Sequence, residues 1–245
     1  MNTQLGLERF LSYINCQLQT PLSDVGHFLT GQHRRAITIS RQAGSGGHTV
    51  AERARELLQA QESKENCPWV VFDRNLVRKV LEEHNLPANL AKFMPEDRIT
   101  EIEDTLDEVF GLHPPSWALV RKTADTILHL AEVGNVIVLG RGANVITAKL
   151  DYVFHVRLVG SLEQRVKRMQ ESEHLNAKSA LELVQRQDLG RRRYLRKYFN
   201  KDIDDPLLYH LVINTDLMTC EAAAELIVHS VTLQPADQVP QLAQA

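Results

Sequence analysis

Along residues 36–231, short apolar runs alternate with stretches whose apolar positions recur every three or four residues. Ala36-Ile37-Thr38-Ile39-Ser40, Trp69-Val70-Val71-Phe72, Val136-Ile137-Val138-Leu139, Tyr152 to Leu158 and Leu211-Val212-Ile213 are the short runs. They are rich in β-branched and aromatic residues, and each predicts a strand. Val50 to Leu58, Arg74 to Glu83, Leu162 to Glu171 and Glu221 to His229 carry helical spacing. Short apolar strands separated by helices predict a parallel sheet covered on both faces, with right-handed crossovers. The pattern alone leaves the strand order open.

Two segments interrupt this rhythm. Pro87 to Val133 is long and largely helical, with an acidic section from Glu96 to Glu108. Lys178 to Lys201 predicts a helix that carries Arg186, Arg191, Arg192, Arg193, Arg196 and Lys197. Leu5 to Leu18 reads as a short amphipathic helix, and from Gln234 the chain is rich in Pro, Gln and Ala, as mobile tails are. The expected organisation is an N-terminal helical extension over 1–35 that packs on the domain or on a partner, one α/β domain over 36–232, and a C-terminal tail over 233–245.

Composition narrows the class. A chain of 245 residues can bury one large core, and its net charge of −3 argues against a general nucleic-acid binder. No apolar run approaches the roughly 20 residues that span a bilayer, and Met1 to Phe10 lacks the pattern of a secretion signal. No membrane association and a cytoplasmic address are therefore expected. Cys16, Cys67 and Cys220 show no metal-ligand spacing and read as incidental thiols of a reducing compartment.

The most informative feature is Gly44-Ser45-Gly46-Gly47, a glycine-rich turn between the first strand and the first helix. Such a turn exposes successive backbone N–H groups and aims a helix N-terminus at one point, which suits phosphate oxygens. Gly44, Gly46 and Gly47 remove side chains that would block close approach. A tight connection with no ligand is the plainer alternative. His48, beside the turn, reads either as a phosphate donor or as an exposed helix-start residue.

The run Ile37 to Gly47 resembles the cytidylate-kinase-like family. So do Phe72-Asp73-Arg74, Val138-Leu139-Gly140-Arg141-Gly142-Ala143 and His155-Val156-Arg157-Leu158. Asp188, Arg191 and Tyr194, and then Val212-Ile213-Asn214-Thr215, continue the match in order. The resemblance implies a P-loop kinase fold with sheet order 2-3-1-4-5, an acceptor lobe near 86–133 and a lid near 178–201. It also implies phosphoryl transfer from ATP, with Mg²⁺, to a small phosphorylated acceptor such as CMP. Donor phosphates would lie on Gly44, Ser45, Gly46, Gly47, His48 and Thr49, with Thr49 also toward Mg²⁺. Arg141 would hold the acceptor, and Arg191 would meet the phosphates when the lid closes.

Two parts of the family pattern are missing. Gly47 stands where the phosphate-loop lysine is expected, and Leu139 where an acid precedes Gly-Arg. Arg41 at the mouth of the loop can replace the lysine's charge. Asp73 at the end of the second strand reads as a metal or ligand carboxylate, or as the cap of the helix that starts near Arg74. A solvated basic face remains the plain alternative for the lid arginines. The competing functions are a non-catalytic nucleotide-binding regulator and a homodimeric scaffold joined through the N-terminal helix.

Overall fold

The computed structural model describes residues 12–13, 16, 35–62, 67–73, 118–140 and 142–233. Five parallel strands form the sheet: β1 (Ala36–Arg41), β2 (Val70–Phe72), β3 (Val136–Leu139), β4 (Val153–Val159) and β5 (Leu211–Asn214). Their order is β2-β3-β1-β4-β5, which matches the order that the resemblance implies. The helices are α1 (Gly47–Gln61), α2 (Ala118–Val133), the short α3 (Ala143–Ile146), α4 (Leu162–Glu173), α5 (Ala177–Phe199) and α6 (Cys220–Leu233). The helix expected from Arg74 to Glu83 and the acidic section Glu96 to Glu108 lie outside the described residues.

β2 and β3 read as unbroken apolar runs because both faces of the sheet are covered there. Ile37, Ile39, Ile137, Leu139, Val156 and Leu158 face α1 and α6, where Val50, Ala54, Ala224 and Ile227 meet them. Ala36, Val136 and Val138 face the other way, toward Ile127, Leu130 and Ala131 of α2. A third, smaller cluster joins α4 to α5 through Met169, Ala180 and Val184 and reaches Ala43. That cluster seats the basic helix beside the glycine turn.

The described part of the N-terminal segment packs on its own domain. Tyr13 is fully buried, donates to Gly134 O at 2.7 Å and meets Phe72 edge-on. Cys16 is disulfide-bonded to Cys67, with 5.6 Å between their Cα atoms, and Cys220 is a free thiol. The reading of Cys16 and Cys67 as buried or incidental thiols is therefore corrected, while Cys220 is a thiol as expected. Apolar spacing says nothing of which side chains meet across 51 residues of sequence. Such bonds are rare in the reducing cytosol. Among the described residues, no helix is long and apolar enough to cross a membrane.

Candidate functional site

The glycine turn leaves β1 and enters α1 at the carboxyl edge of the sheet, where open α/β folds bind ligands. Gln42 N–H donates to Leu158 O at 3.0 Å and Gln42 Oε1 accepts from Gly160 N–H at 3.0 Å, so the turn is tied to β4 and the loop after it. The Ser45 hydroxyl points inward and donates to Gln42 O at 2.9 Å. Gly46, in the left-handed region at φ 78°, caps α1 with no side-chain hydrogen bond. The first N–H groups of a helix have no partner inside it. Gly46 has no side chain with which to cap them.

The glycines are dictated by the protein's own packing as well as by any ligand. A Cβ on Gly44 would run into the backbone carbonyl of Arg165, and one on Gly46 would stand 2.6 Å from Cys220 Sγ. A Cβ on Gly47 would stand 2.8 Å from Arg41 Cγ. The stem of Arg41 thus fills the space that a side chain at position 47 would enter, and its guanidinium lies across Gly140 at the end of β3. An arginine on this course and a lysine at position 47 exclude each other. The departure at Gly47 and the presence of Arg41 are one structural fact.

A cavity of about 840 Å³ opens beside the turn. Arg41, Gly44, Gly47, His48 and Asp73 line one side, and Arg186, Gln187, Gly190, Arg191 and Tyr194 of α5 line the other. His48 Nε2 and Asp73 Oδ2 are 3.8 Å apart. Burial lowers the His48 pKa, while Asp73 opposes that shift and Arg41 adds to it. Thr49 is exposed and lies outside the lining, as do Ser45 and Gly46, so these three are not brought into the cavity with the rest. Arg141 lies outside the described residues. Leu139, in the place of the expected acid, is buried and presents an apolar wall.

Asp188 joins the two sides. Its Oδ1 accepts from Ala43 N–H at 2.7 Å and from Arg191 Nη1 at 3.2 Å, and its Oδ2 accepts from Arg165 Nη1 at 2.6 Å. Arg191 also donates to Gln187 Oε1 at 3.0 Å, and burial lowers its pKa against the pull of Asp188. Arg192, the next residue, turns away and donates to Asp204 Oδ2 at 2.9 Å.

Sequence reasoning missed two arginines. Arg165 donates to Gly160 O at 2.9 Å and to Ala43 O at 3.0 Å, and Arg168 donates to Thr215 O at 2.6 Å. A signal existed for the first: Arg165 and Met169 are the buried residues of α4, four apart, so a charge stands on the inward stripe. A charge there needs partners. The carbonyls and Asp188 supply them.

Among the described residues no group of three or more His, Cys, Asp or Glu side chains could hold a metal. Mg²⁺ at phosphates is usually held by one or two carboxylates together with the phosphate oxygens. Asp73 is a carboxylate in the cavity that fits this pattern.

Comparison with known proteins gives these features a context. The profile of the cytidylate kinase-like family matches residues 36–217. A cytidylate kinase of Pyrobaculum islandicum is 28% identical over 192 residues, 78% of this chain and 89% of that protein. One of Methanococcus vannielii is 29% identical over 136 residues, 55% of this chain and 78% of that protein. The crystal structure of an uncharacterized protein from Eubacterium ventriosum superposes with a TM-score of 0.55 at 22% identity, covering 82% of this chain and 99% of the other. That last likeness concerns the fold alone.

Proposed function

This chain belongs to the cytidylate kinase-like family, and from that membership we propose that it moves a phosphoryl group from ATP to a small phosphorylated acceptor such as CMP. The observation that carries the reading is one cavity lined by the mouth of an uncapped helix turn, Arg41, Asp73 and the lid arginine Arg191. Its volume of about 840 Å³ lies in the range of small-molecule sites.

Each residue has a part in this reading. The amides at the start of α1, on Gly47 and His48, hold donor phosphates. Arg41 supplies the positive charge that the absent lysine would have given. Asp73 is the carboxylate toward Mg²⁺, which neutralises phosphate charge when bound. Thr49 is a weaker choice, since it stands outside the lining. Arg141 grips the acceptor's phosphate through paired hydrogen bonds. Arg191 exchanges Asp188 for phosphate oxygens, where charge develops in transfer, and α5 excludes water from the cavity. A cytoplasmic address accords with a supply of ATP, and the Cys16–Cys67 bond, uncommon in a reducing compartment, stands against it.

A specific observation favours a second reading. Gly47 and the buried Leu139 replace two parts that phosphoryl transfer normally uses, as in a nucleotide-binding regulator without turnover. Incubation of the protein with Mg-ATP and a panel of nucleoside monophosphates and small phosphorylated metabolites, followed by phosphorus NMR, separates the two. Transfer to any member is the expected result. Nucleotide binding with no transfer to any of them would leave the regulator.

A further inference from the structure

At the carboxyl ends of β1 and β4 lies a polar cluster that the phosphotransferase reading does not use. Arg157 of β4 is 3% exposed. Its Nη1 donates to Ser40 Oγ at 2.8 Å and its Nη2 to Asp204 Oδ1 at 2.8 Å. Burial raises the Asp204 pKa but is outweighed by Arg192 and Arg157, so the carboxyl stays below its usual range. The Tyr209 hydroxyl donates to Ile203 O at 2.8 Å, which uses its single proton. Its contact with Ser40 Oγ at 3.3 Å is then a long hydrogen bond for which the serine provides the proton.

Asn144, on α3, is 5% exposed; among the described residues its side-chain N–H₂ makes no well-formed hydrogen bond, and its polar neighbour is the Tyr209 hydroxyl oxygen. Arg157 Nε is unpartnered in the same sense. A buried donor left unsatisfied is costly, and native interiors leave few of them. Ser40 and Asn144 both line the cavity, next to Leu139 and Gly140. The unused or weakly used groups are all donors. Behind them the Arg157 guanidinium is paired with Asp204, while Arg192 is held by Asp204 with Asp202 and Asp188 nearby. Donors with a guanidinium behind them suit an acceptor-only oxygen.

We propose that Asn144 and Ser40 form a subsite for an anionic oxygen, phosphate or carboxylate, of the substrate that receives the phosphoryl group. Arg157 fixes the Ser40 hydroxyl and supplies charge from behind. The identity of the occupant as acceptor rests on the phosphotransferase reading, whereas the preference for an anion rests on the donors themselves.

Inorganic phosphate is the probe, added to the full chain with and without saturating Mg²⁺ and the non-hydrolysable analogue AMP-PNP. The Asn144 side-chain amide is followed by nitrogen-15 NMR and identified by its loss in Asn144→Asp. The expected result is a saturable shift of that amide with phosphate in the presence of AMP-PNP. Phosphate affinity falls about tenfold in Asn144→Leu and further in Asn144→Asp, where charge repels the probe, with AMP-PNP affinity unchanged. Should Asn144→Leu fail to fold, Ser40→Ala removes one hydroxyl and is expected to weaken phosphate by about threefold or more. An Asn144 amide that ignores phosphate, or equal affinity in wild type and folded variants, overturns the subsite. A shift produced by AMP-PNP alone assigns the group to the donor and overturns the acceptor assignment. Failure to bind AMP-PNP while Asn144 still answers to phosphate supports the anion subsite and removes the phosphotransferase reading.

Discussion

The two walls of the cavity are made of different materials. The turn wall offers backbone N–H groups at an uncapped helix, and its glycines are pinned by the Arg165 carbonyl, Cys220 and the stem of Arg41. The α5 wall offers guanidinium groups on an exposed helix, and Arg191 is already engaged with Asp188 and Gln187. Fixed dipoles meet a phosphate without reorganising. An arginine held by a carboxylate must change partners first. In the phosphotransferase reading, the first kind of group serves ground-state binding and the second is reserved for the transition state, which is where an interaction accelerates reaction. Asp188 bonds both walls at once, through Ala43 N–H and the two arginines, so the contrast is built into one side chain.

The largest way to break this comparison is to disturb the fixed wall. Gly44 has φ 75°, and a Cβ there meets backbone, which cannot swing aside as a side chain would. Gly44→Ala should cost roughly 2–4 kcal/mol, from left-handed strain together with overpacking. Urea denaturation measures it. A loss under about 1 kcal/mol, within the range of ordinary surface changes, would mean that the turn relaxes freely and is not the rigid wall described.

The next effect belongs to the lid. If Arg191 meets phosphate only after leaving Asp188, Arg191→Ala should lower turnover by about 10²-fold. AMP-PNP affinity should move less than about threefold, since the interaction is made chiefly in the transition state. Arg192→Ala is the control, because that guanidinium is held on Asp204 outside the cavity. Turnover and calorimetric affinity need to be measured on the same preparations. Equal losses in both variants would reduce the lid to a general basic face.

Arg41 tests the border between the walls, being a side chain that stands in for a loop residue. Arg41→Ala should weaken a triphosphate by about tenfold while a monophosphate changes little, the size of one charge-assisted hydrogen bond. Equal small losses for both ligands, measured by calorimetry, would show that the side chain only packs on Gly47 and Gly140.

Much of the fixed wall was legible in the amino-acid sequence. β3 was expected at Val136–Leu139 and is found there, because four buried apolar residues between a glycine-containing turn and Gly140 leave little choice. The turn itself was visible as glycines between a strand and a helix. The reason for those glycines was not, since Arg165 and Cys220 come from distant segments and periodicity carries no tertiary contact. The basic helix was legible as Lys178–Lys201 and runs from Ala177 to Phe199. Its pairing was not, because Asp188 reads as one more charge on a wet face until Ala43 and Arg165 are seen against it. The same applies to Arg157, an arginine inside a strand pattern whose partners Ser40 and Asp204 lie 117 and 47 residues away.

The smallest effect sharpens the comparison from the opposite direction. Gly190 lines the cavity from within α5, yet a Cβ there would meet nothing within 4 Å, and its φ is not in the left-handed range. No packing demands glycine at this point, in contrast with Gly44 and Gly46. A glycine in a helix interior loses more backbone entropy on folding than alanine does, by about 0.5–1 kcal/mol. Gly190→Ala should therefore stabilise the protein by that amount, seen as a rise of roughly 1–4 °C in Tm for a chain of this size. The same methyl change would then destabilise the protein at one wall and stabilise it at the other, although both glycines border one cavity. A fall in Tm would show that the helix is strained near Gly190 and that the α5 wall is more tightly specified than its open surface suggests.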